Sequence, residues 1–217
     1  MTDQLIPPRF LFRFSAPCRY RHPLWTRRGI QLDEAYRLMS FAELDGAPTL
    51  ADVRVAWSEQ GLAFNVRVEG KRHTPWCRPN QPEESDGLHV WIDTRDTHNI
   101  HRASRFCHRF VFLPGGEGDG GLEPLAGQLT IHRAREQARA AESSQLHVRS
   151  KKLEGGYLLE AYIESAALSG FDPAEHPRLG FTYAVLDRER GEQTFGVGGE
   201  FRYEEDPSLW GTLEMVN

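Results

Sequence analysis

Two adjoining runs, Asp52–Trp57 (DVRVAW) and Leu62–Val68 (LAFNVRV), alternate apolar and polar residues and are joined by Ser58-Glu59-Gln60-Gly61. A period of two puts successive side chains on opposite faces of an extended chain. Two such runs around a short turn predict a β-hairpin. Leu62, Phe64, Val66 and Val68 then face a core, with Asn65 and Arg67 turned away from it. A chain that commits its clearest stretch to a half-buried hairpin must supply more strands to cover it.

The stretch Ser85–Pro114 (SDGLHVWIDTRDTHNIHRASRFCHRFVFLP) supplies a second pair and holds four of the nine histidines. Leu88, Val90 and Ile92 alternate with His89, Trp91 and Asp93. Phe106, His108, Phe110 and Phe112 alternate with Cys107, Arg109 and Val111. An antiparallel pairing closed near Asp93 and Arg105 sets Val90 opposite His108 and His89 opposite Arg109. One face is then apolar. The other carries His89, Trp91, Cys107 and Arg109, which suits either a polar-ligand surface or ordinary exposed cross-strand pairs. The long polar connection Thr94–Ser104 is either functional or a plain insertion.

Elsewhere, Arg9–Phe14, Gln128–Arg133, Leu146–Leu153, Tyr157–Ile163, Leu179–Leu186 and Trp210–Val216 read as strands, and Cys18–Thr26 reads as loop. Asp33 is placed to cap a helical turn, Gly46 and Pro48 mark a turn, and Ser165–Gly170 reads as one helical turn with a serine cap. Ala134–Glu142 is either helix or irregular arm. Pro114–Gly121 (PGGEGDGG) reads as a flexible glycine-rich loop, with a calcium turn as the alternative. Eight to eleven short strands with little helix predict an all-β antiparallel β-sandwich with a few short helical turns. The whole of 1–217 is expected to be one such domain, with 1–8 a loose tail. Its core is predicted from Val53, Val55, Leu62, Phe64, Val66, Val90, Ile92, Leu159, Ala161, Ile163, Phe181, Tyr183 and Leu213. Trp57 and Trp210 are assigned to packing.

A formal charge of -5 speaks against general nucleic-acid binding, which needs a basic domain. No apolar run reaches membrane-spanning length. The first residues, MTDQLIPPRF, have no secretory pattern, and three cysteines make an odd number, so a cytoplasmic protein with reduced thiols is expected. His98, His101 and His108, with Cys77, Cys107 and His89, offer ligand types for zinc but match no zinc spacing. Cys107 and His108 are neighbours on a strand and point to opposite faces. No nucleophile elbow or phosphate-binding loop is present, so an enzyme is not expected.

Four motifs together carry a family resemblance. Val53-Arg54-Val55-Ala56-Trp57 followed by Gly61-Leu62-Ala63-Phe64 is one. Ser85 to Asp93 (SDGLHVWID), Gly156 to Ile163 (GYLLEAYI) and Leu209-Trp210-Gly211-Thr212-Leu213 are the others. In this order they resemble family-9 carbohydrate-binding modules, within the wider DOMON-like sandwiches, over roughly residues 30–216. The resemblance implies a non-catalytic jelly-roll-like sandwich that binds a saccharide, or another polar small ligand, on one sheet face through aromatic rings and hydrogen-bonding side chains. On that basis the ligand-binding residues are expected to be Trp76, His89, Trp91, Arg109, Arg188 and Tyr203. Arg109 matches the family's binding arginine. His89 replaces its strand glutamate, which implies pH-sensitive binding near pH 6 to 7 and a preference for acidic ligands below that range. Glu83 stands where a tryptophan is expected. The alternative is an intracellular sandwich that uses the His/Arg/Cys-rich surface for a metal, a protein partner or metal-assisted chemistry. No cofactor is expected on the first reading.

Overall fold

The computed structural model describes residues 7–41, 44, 46 and 49–217. Most of the predicted tail and Pro48 of the predicted turn lie outside the described residues. The described strands are β1 (Ser15–Tyr20), β2 (Ala51–Ser58), β3 (Gly61–Glu69), β4 (Gly87–Asp93), β5 (Cys107–Glu117), β6 (Glu123–Leu129), β7 (Leu146–Leu153), β8 (Gly156–Glu164), β9 (Arg178–Asp187), β10 (Gly191–Thr194) and β11 (Gly211–Val216); β6 lies upstream of the expected Gln128–Arg133 run, and β10 was not among the expected strands. The other described elements are short 3-10 turns.

The strands run in the order β6-β5-β4-β9-β11-β1-β2-β3-β8-β7, with β10 added to β9. The chain folds this path into two packed layers, a β-sandwich. One layer is β6-β5-β4-β9-β11, the other β2-β3-β8-β7. Strand β1 is the seam: Ser15–Arg19 pair in parallel with β11, and Arg19 and Tyr20 pair in parallel with β2. The structure thus places the first strand later than the sequence pattern did. Pro8 opens a 3-10 turn, Pro8–Leu11, where Arg9–Phe14 had suggested extension. Within β1 only the small residues Ala16 and Cys18 are buried, so the strand lacks the bulky alternation that marks the others.

The thirteen predicted core residues all lie in one buried cluster between the layers. Phe64 of β3 stacks on Phe181 of β9 across the sandwich, centroids 6.3 Å apart. The β2–β3 hairpin has the expected register, Val55 opposite Phe64 and Ser58 opposite Gly61.

Both layers are covered on their outer sides as well. Leu24, Ile30 and Leu32 pack over Ala56, Ala63 and Tyr162. Asn65, facing away from the core as expected, holds this strap. Its side chain accepts from the Leu32 amide at 2.7 Å and donates to the Ile30 carbonyl at 3.0 Å. On the other layer, Ala103, Ile131, Val197, Tyr203 and Trp210 cover Trp91, Cys107 and Ala184. Ala134–Glu142 forms an arm without helix. Pro114–Gly121 is half strand and half turn: β5 continues to Glu117 through a register irregularity between Leu113 and Gly116, and a 3-10 turn follows at Asp119–Gly121. The turn at Ser165–Ala167 is preceded by Glu164 as its N-cap, not by a serine cap.

Phe64→Ala is expected to cost about 2–5 kcal/mol, because the void opposite Phe181 cannot close without moving both layers. Urea unfolding measures this; a loss within a few tenths of a kcal/mol would place Phe64 outside the core.

Candidate functional site

The β4–β5 pairing differs from the expected one by two residues. Val90 lies opposite Phe110, Trp91 opposite Arg109, and Ile92 opposite His108. A shift of two preserves the faces but changes the partners. Asp93 sets it by closing the loop that follows: its carboxylate accepts from the Arg95 amide at 3.0 Å and the Thr97 amide at 2.7 Å. Arg109 therefore stands directly over its cross-strand neighbour Trp91, 4.8 Å from the ring centre.

The face expected to be an open surface is closed. His89 is 0% exposed, Trp91 1%, Tyr203 1% and Arg109 8%. The β4–β5 loop helps to close it, since Ala103 packs in the covering cluster and its carbonyl accepts from the Arg135 amide. Tyr203 meets Trp91 edge-on at 5.3 Å and donates its hydroxyl to Glu192 at 2.5 Å. Arg109 pairs with Glu204 at 3.7 Å. Three buried atoms on this face, His89 Nδ1, Trp91 Nε1 and Arg109 Nε, have no hydrogen-bond partner among the described residues.

Burial also corrects the expected pH dependence. Desolvation pushes the His89 imidazole down to about 4, with Arg109 adding in the same direction and the Ser85 carbonyl opposing. The ring is neutral at pH 6 to 7, so His89 cannot tune ligand binding there.

The other two expected site residues reach solvent. Trp76 is half-buried and Arg188 is exposed, with the guanidinium 4.8 Å from the indole centre. Both line an open depression of 570 Å³ together with Gln81, Glu84 and Glu192. Glu192, through Tyr203, links it to the buried Trp91 and Arg109. The structure thus divides the six residues into an exposed pair and a buried back wall.

What positions the exposed pair is a buried ion triad that the sequence reading did not single out. The Lys71 side chain, 3% exposed, lies between the carboxylates of Asp86 and Asp187, donating to Asp86 at 3.2 Å and to Asp187. Asp86 precedes β4 and Asp187 ends the neighbouring β9, where Gly87 pairs with Leu186. Two carboxylates at adjacent strand ends need a cation between them. Asp86 uses its remaining capacity on the site: it accepts from the Arg188 amide at 2.7 Å and the Trp76 amide at 3.0 Å. The backbones of Trp76 and Arg188 thus hang on one side chain. The Ser85-Asp86-Gly87 motif was visible in the sequence; its lysine partner, fifteen residues away and in a loop, was not.

The weak metal candidates do not converge. His108 faces the sandwich core and stacks on Phe110. His98 contacts Asp96 at 2.8 Å and Thr212 at 3.1 Å, and His101 contacts Asp206 and Ser208. Among the described residues no group of three His, Cys, Asp or Glu is arranged to hold a metal ion. Cys18, Cys77 and Cys107 are unpaired thiols, with Cys18 and Cys107 buried. No described helix is long and apolar enough to cross a membrane.

No protein-family model and no curated protein sequence matches the chain. Solved structures do. A family-9 carbohydrate-binding module from Caldicellulosiruptor kristjanssonii in complex with glucose superposes with a TM-score of 0.63 at 13% identity, covering 94% of this chain and 96% of that one. A structure of a family-9 module from the same organism in complex with cellotriose gives 0.60 at 14%, covering 93% of each chain. The fold is therefore family-9-like, as the ordered motifs imply.

Two measurements test the site's construction. Lys71→Met leaves two buried carboxylates facing one another and is expected to cost about 3–5 kcal/mol. A loss below about 1 kcal/mol in urea unfolding would mean that the carboxylates are solvated. The second concerns acid stability. Burial holds His89 and His108 at about 4, below the ordinary imidazole value. The unfolded chain then binds more protons between about pH 6.5 and pH 4, and each ring removes up to about 3 kcal/mol of stability across that window as pH falls. The Ser169 backbone only partly offsets the burial of His108, and no hydrogen bond of ordinary geometry satisfies either ring nitrogen among the described residues. His108→Leu should therefore match or exceed the parent at pH 7 and lose less on acidification. An unchanged acid slope would show that His108 titrates normally.

Proposed function

We propose that this chain is a non-catalytic domain that binds a saccharide at the depression around Trp76. The observation that carries the reading is the composition of that depression. One aromatic ring is framed by a guanidinium, an amide and two carboxylates, with the ring and guanidinium segments both fixed by Asp86. A sugar presents an apolar C–H face and a rim of hydroxyls. The indole covers the first, and Arg188, Gln81 and Glu84 donate to and accept from the second. The similarity to family-9 modules solved with glucose and cellotriose supports the same reading. The outer face of β4 and β5 then acts from behind. Trp91 and Arg109 carry Tyr203, and Tyr203 holds Glu192 at the rim.

A glycan array followed by calorimetry tests this. Trp76→Ala and Arg188→Ala should each weaken the retained saccharide about tenfold or more, ~1.4 kcal/mol, while melting stays within a few degrees. An array that retains no saccharide, or a retained one that neither variant weakens, would sink the proposal.

A further inference from the structure

The indole of Trp76 is a shared wall. Behind it opens a larger cleft of 880 Å³, bounded by the Lys71–Asn80 segment, the Pro114–Leu122 turn and the β7–β8 end of the other layer. Its charged lining is entirely basic, Lys71, Arg72, Arg78 and Lys152, with His73 beside them and no aspartate or glutamate among the lining residues. In a chain of net charge -5 this is a local inversion of sign. Lys71 is neutralised by Asp86 and Asp187. Arg72, Arg78 and Lys152 are exposed, and none is in an ion pair among the described residues. Arg78 leans over the Trp76 ring at 5.7 Å, opposite in sequence to Arg188 at 4.8 Å.

A second observation points inward. Tyr157 of β8 lines the same cleft and is 2% exposed, yet its hydroxyl has no hydrogen-bond partner among the described residues. Burial and the nearby Asp187, Asp86 and Cys77 hold that hydroxyl protonated, so it is a donor without an acceptor. The segment carrying the basic groups is itself held: Glu189 accepts from the amides of Arg72 and His73 at 3.1 Å, and the Lys71 amide donates to the Gly155 carbonyl at 2.8 Å. The wall formed by Gly115, Gly116, Gly120 and Gly121 contributes no side chains to fill the space. Donors and cations gather on a cavity whose lining holds no carboxylate, which is the arrangement an anion completes.

We propose that this cleft is a second subsite, for an anionic group borne by the saccharide, a ring carboxylate or a sulfate. The inference rests on the saccharide reading above and extends it. A ligand stacked on Trp76 continues past the indole into the basic cleft. The ligand is then an acidic oligosaccharide, and the cleft rather than His89 supplies the charge selectivity.

Calorimetry with trigalacturonate, a sulfated disaccharide and neutral cellotriose tests this against the parent, Arg72→Ala/Lys152→Ala and Arg188→Ala. At least one acidic probe should bind the parent at least tenfold more tightly than cellotriose, with an affinity that falls as salt rises. The double variant, whose replaced side chains are exposed, should melt with the parent and lose that advantage while keeping its cellotriose affinity. The stronger of the two acidic probes identifies the anionic group. Acidic probes binding no better than cellotriose, or unaffected by the double variant, would overturn the cleft and leave the saccharide reading standing. Acidic binding lost in the double variant, with cellotriose never bound and Arg188→Ala silent, would keep the cleft and overturn the depression. Absence of binding by all three overturns both.

Discussion

The Lys71 ammonium between Asp86 and Asp187 is the interaction on which the proposed binding end of this molecule depends. Antiparallel pairing of β4 with β9 brings the start of one strand beside the end of the other, and each terminus carries an aspartate. Neither carboxylate has water to dissipate its charge, so a cation must stand between them or the strand ends must separate. Lysine closes the arrangement from a loop. In doing so it brings the 71–80 segment against the sheet. Trp76, Arg78 and Cys77 reach their places because that segment is pinned at Lys71 and again at Trp76, whose amide donates to the Asp86 carboxylate and whose carbonyl accepts from the Asp86 amide. One buried triad thus fixes the shared wall of both cavities.

The outer face of β4 and β5 keeps the alternation read from the sequence but not the exposure expected of it. The alternation of His89, Trp91 and Asp93 against Cys107 and Arg109 places polar groups on one face, and they are on that face. Yet Trp91 is large enough to seat Tyr203, and the long β4–β5 loop, the Ile131 segment and the Trp210 segment close over it. Burial makes His89 neutral in the range where an exposed imidazole would titrate. It also leaves three nitrogen atoms without partners among the described residues. Charge that the motif placed on the sheet face is instead available at the rim and in the basic cleft, on residues that belong to no strand pattern.

The sequence by itself determined which residues are core and which strands pair as hairpins. Period-two alternation is local and decides the buried face of each strand, so Val53, Phe64, Ile92, Phe181 and Leu213 were assigned without knowing any long-range contact. The hairpin Ala51–Glu69 was likewise set by its own turn. Four short motifs in order were enough to indicate the family-9-like sandwich. Trp76 and Arg188 were both named as expected ligand residues, but their separation of more than a hundred positions said nothing of the 4.8 Å between the guanidinium and the indole.

The tertiary structure decided what depends on contacts between distant segments. The seam strand β1 pairs only in parallel with β11 and β2, and parallel partners leave no turn for the sequence to announce. Register in β4–β5 was undetermined by two residues because a shift of two leaves every face unchanged, and only the Asp93 loop closure settles it. Exposure of His89, Trp91 and Tyr203 turned on loops that fold back over the sheet. Lys71 looked like any loop lysine because a desolvated ion triad is made by three residues that only the fold brings together, and desolvation is a property of surroundings, not of residue type.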